Sequence, residues 1–125
     1  MTELTRKSII WVGSSKKDLR EFPAAVRRDL GTALFWAELG RVHPAAKPMK
    51  GQLRDVTEII ADHRGNTFRA MYTTRIGDEV YVLHAFQKKS TKGNATPQCH
   101  LDLIKARLAL ARHFHANRRE GNEQQ

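Results

Sequence analysis

The sequence predicts an α+β fold, one antiparallel β-sheet with helices flanking it, in the order β-α-α-β-β-β-α. Three observations predict it. Two helical stripes bracket the chain, three strand patterns crowd the middle, and the turns between those strands are too short for anything but antiparallel neighbours. At 125 residues the chain has material for one core, so residues 1–120 read as a single domain with a polar tail at 121–125.

Residues 7–12, Lys-Ser-Ile-Ile-Trp-Val, are β-branched and aromatic, end at Gly13, and read as a strand. Ser14 or Ser15 then caps a short helix with Asp18 in its first turn. Pro23 breaks that helix and opens a second, because a first-turn proline loses no helical hydrogen bond. Val26, Leu30, Leu34 and Ala37 form its apolar stripe as far as Leu39, and Gly40 is the stop.

Pro44 and Pro48 make residues 41–49 a connector. Residues 53–61 read as a strand ending at the turn Arg64-Gly65-Asn66. In residues 67–74 Phe68, Ala70 and Tyr72 alternate with Arg69, Met71 and Thr73, and Ile76-Gly77-Asp78 forms a second turn. In residues 79–86 Val80, Val82, His84 and Phe86 alternate with Tyr81, Leu83 and Ala85. A basic loop over 88–95 leads to Thr96-Pro97, which start a last helix with the stripe Leu101, Ile104, Leu108 and Ala111, ending near Asn117.

Charge is the first functional signal. Lys and Arg number 22 against 13 Asp and Glu, a net +9 with a pI near 10.2. The excess is uneven, since residues 84–119 hold eight Lys and Arg against one acid, Asp102. Such a concentration points to a nucleic-acid or anionic-protein partner, against the plainer reading of a basic soluble surface. No apolar run suits a membrane span or a signal peptide, which predicts a cytoplasmic protein with no membrane partner. Cys99, the one cysteine, fits a reducing compartment and has no partner at zinc spacing.

No glycine-rich phosphate loop, HExxH, GxSxG or CxxC pair occurs. Asp55, Glu58 and Asp62 read as solvated charges, so the expectation is no metal and no cofactor. Metal-independent RNA cleavage suits the residues better. There the 2′-OH of the RNA attacks the adjacent phosphate, and the protein supplies cations and a group to move protons. Lys50, Arg69, Lys88 and Lys89 are the candidate cations, with Arg69 foremost because its planar fork matches phosphate oxygens. The competing reading of Arg69 is a solvent-facing strand residue. His84, alone of the histidines, falls inside a strand pattern and is the proton-transfer candidate, against a packed histidine sharing a face with Val80, Val82 and Phe86. Lys92, Lys105, Arg107 and Arg112 are the candidate RNA-binding cations of the basic loop and last helix.

Several segments together resemble a known family. Lys47-Pro48-Met49-Lys50-Gly51 resembles the "KPLKG" that leads into the sheet of phage-derived HigB-like toxins. Phe68-Arg69-Ala70-Met71-Tyr72 is similar to their "YRVVY" strand, residues 82–90 to "LLHAFxKKT", and Thr96-Pro97 to the "KTP" opening the last helix. Residues 17–23 match as well, so the resemblance spans about residues 7–112.

The resemblance implies a RelE-like fold of the RelE/ParE superfamily and the toxin of a type II toxin–antitoxin system. Messenger-cleaving members cut mRNA in the ribosomal A site without a metal, in contact with ribosomal RNA, and are held inactive by a helix-turn-helix antitoxin. It implies that Lys50, Arg69, Lys88 and Lys89 occupy the family's basic positions. At the end of the sheet, where some relatives place a Tyr or His for proton transfer, this chain has neither. Two alternatives remain open: a ParE-like poison of DNA gyrase, and a basic RNA- or ribosome-binding module without catalysis.

Overall fold

A computed structural model describes residues 6–88 and 96–123, with side chains as far as 118. Its elements are β1 (Ile9–Trp11), α1 (Ser15–Arg20), α2 (Ala24–Glu38), β2 (Ala46–Pro48), a 3₁₀ turn (Gly51–Leu53), β3 (Thr57–His63), β4 (Asn66–Thr73), β5 (Val80–Lys88) and α3 (Gln98–Glu123). The strands form one sheet in the order β1-β5-β4-β3-β2. The fold is therefore α+β, with the expected central meander β3-β4-β5 antiparallel throughout.

Four details differ from the sequence expectation. β1 pairs parallel to β5, Ile9 opposite Val80 and Trp11 opposite Val82. The connector carries a fifth strand, β2, antiparallel to β3, with Ala46 opposite Ile59. Pro48 is tolerated there because β2 is an edge strand, where a missing donor costs no ladder bond. The third strand starts at Thr57 rather than 53, since Gly51–Leu53 coil into the 3₁₀ turn. The last helix runs past Asn117 to Glu123.

The β3–β4 turn follows from backbone chemistry. His63 pairs with Asn66, leaving Arg64 and Gly65 as a two-residue loop with φ of 51° and 82°. Two positive φ values in sequence make a type I′ turn, whose twist matches that of the flanking strands.

The sheet divides the core into two layers. On one face α2 buries Val26, Leu30, Ala33, Leu34 and Ala37 against Ile59, Phe68, Ala70, Tyr72, Val80, Val82 and Ala85. On the other α3 buries Ile104, Leu108 and Ala111 against Met71, Tyr81, Leu83 and Phe86. Both predicted helical stripes are therefore the buried ones.

One irregularity in β5 decides what faces α3. Tyr72 pairs with Val82 but Met71 pairs with His84, so Leu83 is an extra residue in the strand, a β-bulge. Before it, Val80 and Val82 face α2; after it, Ala85 does. His84 and Phe86 are thereby turned to the α3 face, and His84 does not share a face with Val80 and Val82 as the alternation predicted. Simple period-two counting fails past the bulge.

Candidate functional site

On the α3 face of the sheet three buried ionisable side chains sit together, Glu58, Arg69 and His84, at 7%, 3% and 5% exposure, with Thr73 also buried further along β4. Register explains their grouping. Glu58, Met71 and His84 lie opposite one another across β3, β4 and β5, and Ile60, Arg69 and Phe86 form the adjacent row. Residues opposite one another across a sheet project to the same face, so two polar rows lie side by side.

Arg69 lies at the centre. Its Nη1 donates to Glu58 Oε2 at 2.9 Å and to Thr96 Oγ1 at 3.2 Å. The first bond is a buried ion pair, and the second ties β4 to the start of α3. The structure corrects two expectations here. Arg69 is not on a solvated face, and Glu58 is not a solvated charge, because the turn leading into α3 and the paired strand close over both. Water is excluded, and each ion is compensated by the other.

His84 sits beside this pair with its ring nearly parallel to Phe86, centroids 5.2 Å apart. Its Nε2 lies 2.8 Å from Nδ1 of His100, on the first turns of α3, and its Nδ1 lies 3.3 Å from Arg107 Nη1. Burial first, then the proximity of His100 and of the Arg107 cation, lower the His84 pKa to about 4. Desolvation also lowers that of His100. His84 is thus packed and hydrogen-bonded, and burial favours its neutral imidazole.

Arg107 fastens α3 to the rest of the molecule rather than facing solvent freely. Its Nη1 also donates to the Leu83 carbonyl at 3.0 Å, and its Nη2 to Ser14 Oγ at 3.0 Å. The bulge that turns His84 also presents this carbonyl to the guanidinium. Gly13, at φ +58°, gives the guanidinium room, since a Cβ there would lie 2.7 Å from Arg107 Nε. Arg107, expected as an RNA-binding cation, directs its Nη donors to intramolecular acceptors in this structure.

The remaining expected cations divide. Lys50 and Lys105, both exposed, line one cleft of about 380 Å³ together with Met49, Gln52, Leu53, Thr96 and Leu101. Lys50 comes from the residue before the 3₁₀ turn and Lys105 from the second turn of α3, so the cleft has a cation on each wall. Thr96, which takes the Arg69 hydrogen bond, lines it too. Lys88 ends β5 opposite Thr67, on the edge of the same face. Arg112 lies two turns of helix beyond Lys105 and pairs with Asp55 at 3.3 Å, outside the cleft. Lys89 and Lys92 lie outside the described residues. Among the described residues no group of three or more His, Cys, Asp or Glu could hold a metal ion, and no helix is long and apolar enough to cross a membrane.

Three residues of the site were not singled out from sequence: Glu58 as a buried partner, Thr96 as a contact of Arg69, and His100. Thr96-Pro97 did mark the helix start, which is what places Thr96 beside the sheet. His100 carried no signal, being 16 residues from His84 and joined to it only by the docking of α3.

The family described as "Phage derived protein Gp49-like (DUF891)" matches residues 17–109, most of the chain. No curated protein is significantly similar. Among solved structures, the toxin–antitoxin complex RelBE2 from Mycobacterium tuberculosis contains a chain similar at 15% identity and a TM-score of 0.47, over 66% of this chain and 99% of that one. The chain belongs to the phage-derived Gp49-like family.

Proposed function

We propose that this protein is the toxin of a type II toxin–antitoxin system and a ribosome-dependent, metal-independent mRNA endoribonuclease. The observation that carries the reading is the cleft in which Lys50 and Lys105 face each other across Thr96, at the end of the Arg69 guanidinium. Two exposed ammonium groups on one cleft suit an anionic phosphodiester backbone.

The chemistry asks little of the protein. The 2′-oxygen attacks the adjacent phosphorus, the bond to the 5′-oxygen breaks, and a cyclic phosphate and a 5′-hydroxyl result. Negative charge grows on the non-bridging oxygens, where Lys50 and Lys105 stabilise it. Lys88, at the end of β5, and Lys89, next to it in the sequence, are assigned to the RNA on either side of the reacting phosphate. Lys92 and Arg112 are assigned to RNA outside the reacting phosphate. Arg69 in the free protein is a positioning residue, holding Thr96 at the cleft. A phosphate oxygen taking the place of Thr96 Oγ1 brings Arg69 into direct contact and makes it catalytic.

The partners that follow are mRNA on the ribosome, with ribosomal RNA around it, and a helix-turn-helix antitoxin; the compartment is the cytoplasm. The test is to induce the protein and map new 5′ ends on cellular messages. Cuts inside translated frames that vanish when translation is blocked are expected. Broken DNA with intact messages would instead make the protein a gyrase poison, and ribosome binding without cuts would make it a binding module.

A further inference from the structure

A directed chain of hydrogen bonds crosses the molecule from α1 to the start of α3, and its direction is fixed by one residue that can only donate. Arginine has five N–H donors and no acceptor. Arg107 Nη2 donates to Ser14 Oγ, whose hydroxyl in turn donates to Asp18 Oδ2 at 2.7 Å. One hydrogen of Arg107 Nη1 goes to the Leu83 carbonyl, and the other faces His84 Nδ1.

His84 Nδ1 must therefore offer a lone pair, which puts the proton of the neutral ring on Nε2. That proton points at His100 Nδ1, 2.8 Å away. His100 in turn accepts at Nδ1 and carries its own proton on Nε2. No partner for His100 Nε2 exists among the described residues. Charging either ring would set donor against donor, His84 against Arg107 or His100 against His84. The groups facing the pair, Arg107 on one side and Asp18 behind Ser14, hold this arrangement.

The His100 ring is also held in place. It stacks on Phe86 with centroids 3.8 Å apart and planes 13° from parallel. Phe86 lies opposite Arg69 in the sheet, and Thr96, which Arg69 holds, is four residues before His100. His100 lies outside the lining of the cleft itself, between Thr96 one turn before it and Leu101 next to it, both of which line the cleft.

We propose that His100 is a fixed neutral hydrogen-bond donor for the RNA, its Nε2–H bonding a non-bridging phosphate oxygen, with the tautomer imposed by Arg107 through His84. This rests on the RNA-cleaving reading above and adds to it a donor that the lysines cannot replace. No proton is transferred at His100, which strengthens its hydrogen bond as charge grows on the oxygen.

The test combines nitrogen NMR with cleavage, on the full chain. Long-range proton–nitrogen spectra at pH 7 are expected to show both rings as Nε2–H tautomers. Adding a trinucleotide with 2′-deoxyriboses, which cannot be cut, is expected to move the His100 Nε2 signal. In single-turnover cleavage on programmed ribosomes, His100→Phe keeps the ring stack without the donor and is expected to lose ~10²–10³ in rate, whereas His100→Gln, which presents an amide N–H, stays within about tenfold of wild type. An Nδ1–H or charged His100, or a signal that does not move, overturns the proposal. If messages are cut and His100→Phe cuts at the wild-type rate, the donor role alone is wrong. If nothing is cut but the tautomers hold and the signal moves, the donor stands and the nuclease reading falls.

Discussion

The two faces of the sheet are built from the same strands on the same period, yet they differ in kind. The α2 face is closed by aliphatic and aromatic side chains. The α3 face shares its core with a buried ion pair and an imidazole. Apolar burial stabilises roughly 25 cal/mol for each Å² removed from water, whereas a buried ion pair often stabilises less than hydrophobic residues of the same volume. Stability alone does not account for the cluster of Glu58, Arg69 and His84 on one face, where the α2 side buries Glu38 at the end of the helix. In the proposed reading the α2 face holds the fold, and the α3 face gives up some stability to keep charge and directed donors near the cleft.

The sharpest way to break this contrast is to remove one member of the ion pair. Arg69→Ala leaves the Glu58 carboxylate buried and unpaired, which is expected to cost about 3–5 kcal/mol in denaturant unfolding. An Arg69→Ala variant as stable as wild type would return Arg69 to the solvated face that its sequence pattern suggested.

On the α2 face, Leu30→Ala opens a cavity in a fully buried position and is expected to cost roughly 2–5 kcal/mol. Its cleavage rate per folded molecule should match wild type, because nothing on that face touches RNA in this account. A loss of rate in the folded fraction would couple the two faces and end the division between them.

Acid sharpens the contrast through His84. Its folded pKa of about 4 lies below the ordinary 6.5, so the unfolded chain takes up a proton first as pH falls. The stability this group confers is complete above about pH 6.5 and declines as pH drops towards 4, by on the order of 3 kcal/mol. His84→Phe should flatten the pH dependence of unfolding over that window relative to wild type. An unchanged slope would mean that His84 is not the group responsible.

The smallest structural effect, and a functional one, belongs to the cleft lysines. Lys50→Ala and Lys105→Ala replace exposed residues and should change stability by within about 0.5 kcal/mol. Each should weaken ribosome binding and lower the slope of log affinity against log salt by about 0.7, the single-strand value for one phosphate contact. A variant that binds weakly with an unchanged slope would place its lysine off the phosphates.

Much of this architecture is legible in the sequence where a pattern is local. The Val26–Leu30–Leu34–Ala37 stripe, the β4 alternation and the Arg64-Gly65 turn each depend on neighbours within a few residues. β2 is not legible, because a three-residue strand that ends in Pro48 carries no period and exists as a strand only by pairing with β3. The bulge at Leu83 is not legible either, since alternation assumes an unbroken register. The site was readable as residue types and not as geometry. Lys50 and Lys105 are 55 positions apart and meet only when α3 docks. The burial of Arg69 depends on Glu58 across the ladder and Thr96 beyond the basic loop.

The central claim, that the buried pair of the α3 face is kept for function at the expense of stability, is tested most directly by replacing both charges at once. Arg69→Met combined with Glu58→Leu preserves volume and leaves no orphaned ion. The account predicts a double variant at least as stable as wild type that cleaves programmed ribosomes ~10²–10³ more slowly in single turnover. A stable double variant that cuts at the wild-type rate would contradict it.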